Sequence, residues 1–120
     1  MKRILILLIA CALLAPAVFA AEGLEGVYDC VGSNPGGSGQ YRGTVTIARN
    51  GDNYNVTWNI GTQVYLGIGI LQGDTFSVGY TDAKKSWYGV VVYKVDGKKL
   101  TGVWAMPGNA KNGKETLTRR

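Results

Sequence analysis

Strict alternation of apolar and polar residues is the feature that most constrains the fold of this chain. Along residues 53–60 apolar side chains take every second position, and three asparagines and a threonine lie between Tyr54, Val56, Trp58 and Ile60. Because successive side chains of a strand point to opposite faces, this pattern predicts a strand with one buried and one solvated face. No segment after Ala21 shows helical periodicity, so the fold is predicted to be all-β.

The alternation predicts eight strands, at residues 25–32, 40–49, 53–60, 62–71, 74–80, 86–95, 98–106 and 114–119. Most connections are short, and Asn50-Gly51 and Asp96-Gly97 carry the residues that tight reversals require. Strands joined in this way form an antiparallel up-and-down meander. Closing the meander into a barrel removes its two exposed edges. We therefore predict a single small eight-stranded β-barrel domain over residues 21–120.

Glycines spaced two positions after a large side chain support closure into a barrel. The spacing recurs in four predicted strands, at Tyr41/Gly43, Tyr65/Gly67, Trp87/Gly89 and Leu100/Gly102. Residues two apart in a strand share a face. Glycine at such a position lets the strand coil sharply, and a neighbouring aromatic ring covers the gap.

The first twenty residues have the organisation of a secretory signal peptide. Lys2 and Arg3 form a positive start, residues 4–14 are almost wholly apolar, and Val18-Phe19-Ala20 supplies small residues for cleavage. We predict cleavage after Ala20 and an exported protein, periplasmic or secreted. It would have no integral membrane segment after cleavage.

Two alternatives to cleavage exist for this segment. A retained membrane anchor is disfavoured, because the apolar run is shorter than the roughly 20 residues that span a bilayer. Leu8-Ile9-Ala10-Cys11 resembles a lipobox, in which Cys11 would be lipidated. That product would begin with the apolar residues 12–19, which make a poor tether.

Charge and cysteine content limit the partners. The formal net charge of +5 falls to +3 without Lys2 and Arg3, and the remaining cations are scattered singly or in pairs. No nucleic-acid partner is therefore predicted.

Cys30 is the one cysteine after residue 20, so a disulfide within the mature chain is impossible. Its place in a predicted strand favours burial over an intermolecular disulfide.

The absence of histidine removes whole classes of chemistry. Ser-His-Asp and Cys-His arrangements are excluded, as is a zinc site of histidine or paired cysteines. The glycine-rich residues 33–39 lie between strands and are predicted to be a flexible turn. Most acidic residues lie in turns; Asp29 and Glu115 lie in strands, where a solvated position is favoured over a partner contact. We predict no enzymatic activity and no catalytic, cofactor-binding or metal-binding residue.

Two sets of residues are candidates for binding. The first set is the three tryptophans, Trp58, Trp87 and Trp104. They either pack in the core or line a ligand cavity, and core packing is the commoner use of tryptophan in a barrel. The longer connections offer a second set, because loops on a rigid scaffold often carry contacts. Its members are Asn34, Pro35, Lys84, Lys85, Pro107 and Asn109.

Two resemblances extend these predictions. Gly26-Val27-Tyr28 followed by up-and-down strands resembles the calycin-type barrels, such as avidins and lipocalins. A longer pattern is similar to small exported bacterial proteins often labelled fibronectin-binding protein; it includes Gly32–Ser38, Tyr41–Ile47, Tyr54–Trp58 and Leu100–Trp104. That family implies a glycine-rich bend where this chain has Lys84-Lys85.

Two functions remain open, and a hydrolase or lyase that uses carboxylates in the turns is a disfavoured third. The main prediction is an exported, non-catalytic, fibronectin-binding-like protein that contacts a protein partner through barrel loops. The alternative is a carrier of a small apolar ligand inside a calycin-like barrel.

Overall fold

The strands close into a barrel in chain order. The computed structural model describes residues 23–120, so the predicted signal peptide and Cys11 lie outside the described residues. Each strand pairs antiparallel with the next, and β8 returns to pair with β1. The strands are β1 (Gly26–Ser33), β2 (Gln40–Asn50), β3 (Asn53–Ile60), β4 (Gln63–Gln72), β5 (Thr75–Asp82), β6 (Tyr88–Asp96), β7 (Lys99–Ala105) and β8 (Gly113–Arg119).

The predicted closed meander of eight strands is confirmed, and every strand boundary lies within two residues of its predicted place. The connection at residues 33–39, predicted as a flexible turn, contains a short 3-10 helix at Pro35–Gly37. Gly36 lies in the left-handed region, with φ of 70°. Because glycine has no Cβ to clash there, it allows the chain to turn within this short segment.

The inward faces of the strands fill most of the barrel. Tyr54, Val56 and Trp58 point inward as predicted, and each is at most 5% exposed. Cys30 is buried in β1, as predicted. The remaining buried apolar side chains are Leu24, Tyr28, Val45, Ile47, Phe76, Val78, Tyr80, Val91, Tyr93, Leu100 and Leu117.

Aromatic rings cover inward-facing glycines on the paired strand. The pairs directly opposite each other are Gly32/Tyr41, Gly89/Tyr80, Gly102/Tyr93 and Gly113/Trp104. A Cβ added to any of these four glycines would lie between 2.1 and 2.6 Å from an atom of the opposite ring. The covering ring therefore comes from the neighbouring strand rather than from the same strand.

The two ends of the barrel differ. Connections 34–39, 61–62, 83–87 and 106–112 lie together at one end, here called the mouth, because alternate connections of a meander share an end. The opposite end, the base, is closed by Leu24, which is 3% exposed. Tyr28 donates a hydrogen bond to the Leu24 carbonyl at 2.7 Å, and Arg119 Nη2 donates to the Gly23 carbonyl at 2.6 Å.

Candidate functional site

A cavity of about 290 Å³ occupies the mouth half of the barrel. It receives residues from all four mouth connections or from the strand ends beside them. Its lining is mainly aromatic and apolar, and consists of Asn34, Tyr41, Trp58, Ile60, Gln63, Tyr65, Tyr80, Trp87, Val91, Trp104, Met106 and Glu115. The three tryptophans predicted as candidates therefore meet around one space. Their role in binding a ligand stays a prediction.

The aromatic rings of the lining contact one another. Trp58 and Tyr80 have ring centroids 5.8 Å apart, Tyr80 and Trp87 5.7 Å, and Trp87 and Tyr65 6.2 Å. Tilted and edge-to-face pairs at such distances stabilise each other's positions. The Tyr80 hydroxyl donates to the Ala105 carbonyl at 3.0 Å, which ties β5 to the end of β7. The result is a continuous aromatic wall along one side of the cavity.

Glu115 lies at the floor of the cavity and is 5% exposed. The Tyr41 hydroxyl donates to its Oε1 at 2.9 Å, and Trp58 Nε1 donates to its Oε2 at 3.2 Å. The Tyr93 hydroxyl also donates to Oε2. The predicted solvated position of Glu115 is therefore wrong, because Glu115 shares the inward face of β8 with Leu117.

Two glycines make room for this arrangement. Glu115 pairs directly with Gly32 on β1 and with Gly102 on β7. The ring of Tyr41 lies across Gly32, and that of Tyr93 lies across Gly102. Both hydroxyls can thus reach the carboxylate from opposite sides. The two-residue spacing of Glu115 from Leu117 was the signal in the sequence that Glu115 faces inward. No such signal exists for its tyrosine donors, because they come from strands far away in the chain.

The surroundings of Glu115 keep two neighbouring phenols and one thiol protonated. Burial, followed by the charge of Glu115 and its hydrogen bond, raises the pKa of Tyr41 and of Tyr93 well above 10. The same causes in the same order raise the pKa of the Cys30 thiol. Because the thiolate is the reactive form of cysteine, a buried and protonated Cys30 is unsuited to an intermolecular disulfide.

The bend before β6 holds Trp87 at the mouth. Asp82 Oδ1 accepts hydrogen bonds from the backbone N–H groups of Ser86 at 2.7 Å and of Trp87 at 3.4 Å. Thr81 Oγ1 donates to the Trp87 carbonyl at 2.9 Å. The glycine-rich bend implied by the resemblance is replaced by one in which Lys85 itself adopts a positive φ of 54°.

The six residues predicted for partner contact lie in the mouth connections. Asn34 also lines the cavity, and Lys84, Lys85, Pro107 and Asn109 are exposed. Pro35 is half-buried at the start of the 3-10 helix. The structure therefore brings the two candidate sets to the same end of the barrel. Contact between these loops and a partner protein stays a prediction.

The two strand carboxylates do not meet. Asp29 points outward from β1, with 62% of its side chain exposed, and forms an ion pair with Arg120 at 2.9 Å. Glu115 points inward, so these two groups cannot flank one bond of a substrate. Among residues 23–120, no three His, Cys, Asp or Glu side chains are grouped as a metal site requires.

A second apolar feature lies on the outside of the barrel. The exposed side chains of Ile68, Ile70, Val90 and Val92 flank Ser77 and Gly79 of β5, which form the floor of a shallow groove. This groove lies on the strand faces and is not ringed by loops. No helix within the described part of the chain has the length and apolar character to cross a membrane.

Known proteins share the fold without close sequence similarity. No protein-family model matches the chain, and no curated protein is significantly similar to it. A de novo designed fluorescence-activating beta barrel has a TM-score of 0.61 and 10% identity, covering 80% of this chain and 93% of that chain. A REP1-NXSQ fatty acid transporter has a TM-score of 0.54 and 12% identity, covering 81% and 96%. Fatty-acid-binding protein 1 of Echinococcus granulosus has a TM-score of 0.50 and 8% identity, covering 79% and 96%.

These likenesses define the class of fold. The chain has the calycin-like β-barrel architecture, as the first of the two resemblances implied. Two of these neighbours are named as a fatty acid transporter and a fatty-acid-binding protein. No comparison supports the resemblance to proteins labelled fibronectin-binding.

Proposed function

We propose that this protein is a carrier that holds a small, largely apolar molecule in its barrel and releases it unchanged. The cavity carries this proposal. Its walls are aromatic, and it lies at the mouth of the barrel among the four connections, while the base of the barrel is closed. Binding cavities for small molecules usually measure about 300–1,000 Å³. A volume of about 290 Å³ lies just below that range and suits a compact ligand.

The fold comparisons support the carrier over the loop-mediated protein binder. The neighbours include a fatty acid transporter and a fatty-acid-binding protein. The apolar surface that a protein partner requires is present, but it lies along β4 to β6 and not among the mouth loops. Fibronectin binding by the mouth loops stays a prediction, and immobilised fibronectin tests it directly.

We further propose that the carrier works outside the cytoplasm. Residues 1–20 have the charge and apolar pattern of a cleaved signal peptide. A mass corresponding to residues 21–120 in protein from its own host would support export with cleavage. A mass beginning at a diacylglyceryl Cys11 would contradict it.

Native mass spectrometry of the protein from its own host tests the carrier proposal. A small adduct that is present under gentle conditions and lost on denaturation is the expected result, and it would reveal the class of the ligand. In parallel, 1-octanol serves as a neutral probe. Its binding should change the intrinsic fluorescence, because all three tryptophans line the cavity.

Two adjacent aromatic residues provide a matched pair of variants. Trp87 lines the cavity, whereas Tyr88 points outward and is 65% exposed. Trp87→Ala should weaken 1-octanol binding about 3- to 10-fold, because each methylene group that loses its apolar contact costs about 0.8 kcal/mol. Tyr88→Ala should leave the affinity unchanged. Absence of both a native adduct and 1-octanol binding, or equal losses in the two variants, would contradict the proposed site.

A further inference from the structure

Glu115 places a negative charge at the floor of the cavity, and no cationic side chain among the described lining residues balances it. Glu115 is the only one of the twelve lining residues with an ionisable carboxyl group, and no lining residue is a lysine or arginine. The hydrogen bonds that it accepts from Tyr41, Trp58 and Tyr93 come from neutral donors. A buried charge is costly unless it is paired, and hydrogen bonds from neutral groups leave its net charge in place.

The rings around this carboxylate add to the preference for positive charge. Trp58 and Tyr41 both donate to Glu115 and both line the cavity, so their rings lie beside the same negative group. Trp104 lies against Tyr41, with ring centroids 6.3 Å apart. The face of an aromatic ring carries negative potential and attracts cations, most strongly for tryptophan. The carboxylate and the aromatic rings therefore both favour a positively charged ligand.

We propose that the ligand is an organic cation, an apolar molecule with a protonated amine that lies near Glu115. This inference rests on the proposed carrier function and specifies the class of its ligand. The apolar part of the molecule would contact the aromatic wall, and the ammonium group would supply the missing countercharge. An anionic ligand of the same shape would meet a carboxylate of like charge.

The protein as a whole does not explain such a preference. The formal net charge is +5 for the full chain and +3 without residues 1–20, so long-range attraction favours anions. A preference for cations must therefore arise inside the cavity. Interactions of buried charges are screened by salt much less than those at the surface. The preference should accordingly persist at high ionic strength.

Three probes with one apolar chain test the inference: octylammonium, 1-octanol and octanoate at pH 7. Fluorescence titration of the wild-type protein should show octylammonium binding at least about 10-fold more tightly than octanoate, with 1-octanol between them. Binding of octanoate equal to or tighter than that of octylammonium would overturn the inference and leave the carrier function standing if 1-octanol binds. Failure of all three probes to bind would overturn the inference, and together with the absence of a native adduct it would also overturn the carrier function.

The variant Glu115→Gln tests whether the carboxylate is responsible. The ratio of octylammonium affinity to octanoate affinity should fall to less than about 3-fold. Asp96→Asn is the control, because it removes one negative charge at an exposed position outside the cavity. If Glu115 only ties the strands together, E115Q would lower stability and leave the ratio unchanged, which would overturn the inference. If E115Q does not fold, the three wild-type affinities alone decide.

Discussion

Gly102 shows how a missing side chain shapes the interior of this barrel. The ring of Tyr93 lies across it from the paired strand, and a Cβ at residue 102 would lie 2.6 Å from a Tyr93 ring carbon. The ring continues past this glycine so that its hydroxyl donates to Glu115. One glycine thus determines whether the buried carboxylate keeps the hydrogen bond from Tyr93.

Gly102→Ala is expected to destabilise the folded protein by about 1–3 kcal/mol, because Tyr93 must shift and loosen its hydrogen bond to Glu115. Gly79→Ala is the matched control, since a Cβ there would meet no atom within 4 Å. The control should change stability by no more than about 0.5 kcal/mol. Urea unfolding at pH 7 measures both, and equal losses in the two variants would contradict the packing argument.

The residues of the site differ in how far the sequence could identify them. Trp58 was predicted to face inward, because it lies in a clear alternation with Tyr54 and Val56. Glu115 could not be placed in this way, since lysine and threonine occupy the alternate positions of β8 and both of its faces look polar in part. Its tyrosine donors are 74 and 22 residues away in the chain. Only the closed register of the barrel brings them together.

At the scale of elements, alternation predicted the strands more reliably than it predicted the bends. Residues 53–60 coincide with β3, because their apolar side chains point strictly inward. The bend between β5 and β6 is different, since its conformation depends on Asp82 accepting backbone N–H groups and on Lys85 taking a positive φ. Neither feature follows from hydrophobic periodicity.

The charge of Asp82 should control this bend. Hydrogen bonding, first from the Ser86 hydroxyl, holds the pKa of Asp82 below 3.8. Because the folded pKa is lowered, its contribution to stability is present above pH 3.8 and is lost as the pH falls through the folded value. In an NMR titration, the backbone amides of Ser86 and Trp87 should therefore shift with a midpoint below 3.8. A midpoint at or above that value would show that these hydrogen bonds do not favour the carboxylate.

At the scale of the whole molecule, the closed base, the cavity at the mouth and the exposed apolar groove lie in different parts of the barrel. Within residues 23–120, Leu24 and Arg119 cover the base, and the cavity lies at the mouth end of the barrel. The predicted contact loops surround the mouth, which means that a partner bound there would also control access to the cavity. The exposed apolar groove along β4 to β6 is on the outer surface and is separate from the mouth.

The buried phenols make the whole fold sensitive to alkali. Burial, with the charge of Glu115 second, raises the pKa of Tyr80 to about 12 and places those of Tyr41 and Tyr93 well above 10. In the unfolded chain these groups ionise near 10, so the unfolded state loses protons first as the pH rises. Stability from these phenols is therefore complete below about pH 10 and declines above it.

Urea unfolding between about pH 8 and pH 11.5 measures this decline. Each phenol that stays protonated in the folded state adds at most about 1.4 kcal/mol per pH unit to the slope above pH 10. Tyr93→Phe should lower stability at pH 8, because Glu115 loses a donor, yet it should give a shallower slope than wild type above pH 10. Tyr88→Phe removes an exposed phenol and should reproduce the wild-type slope. A Tyr93→Phe slope equal to that of wild type would mean that the Tyr93 phenol ionises as readily inside the barrel as in the unfolded chain, and that burial and Glu115 together do not hold it protonated.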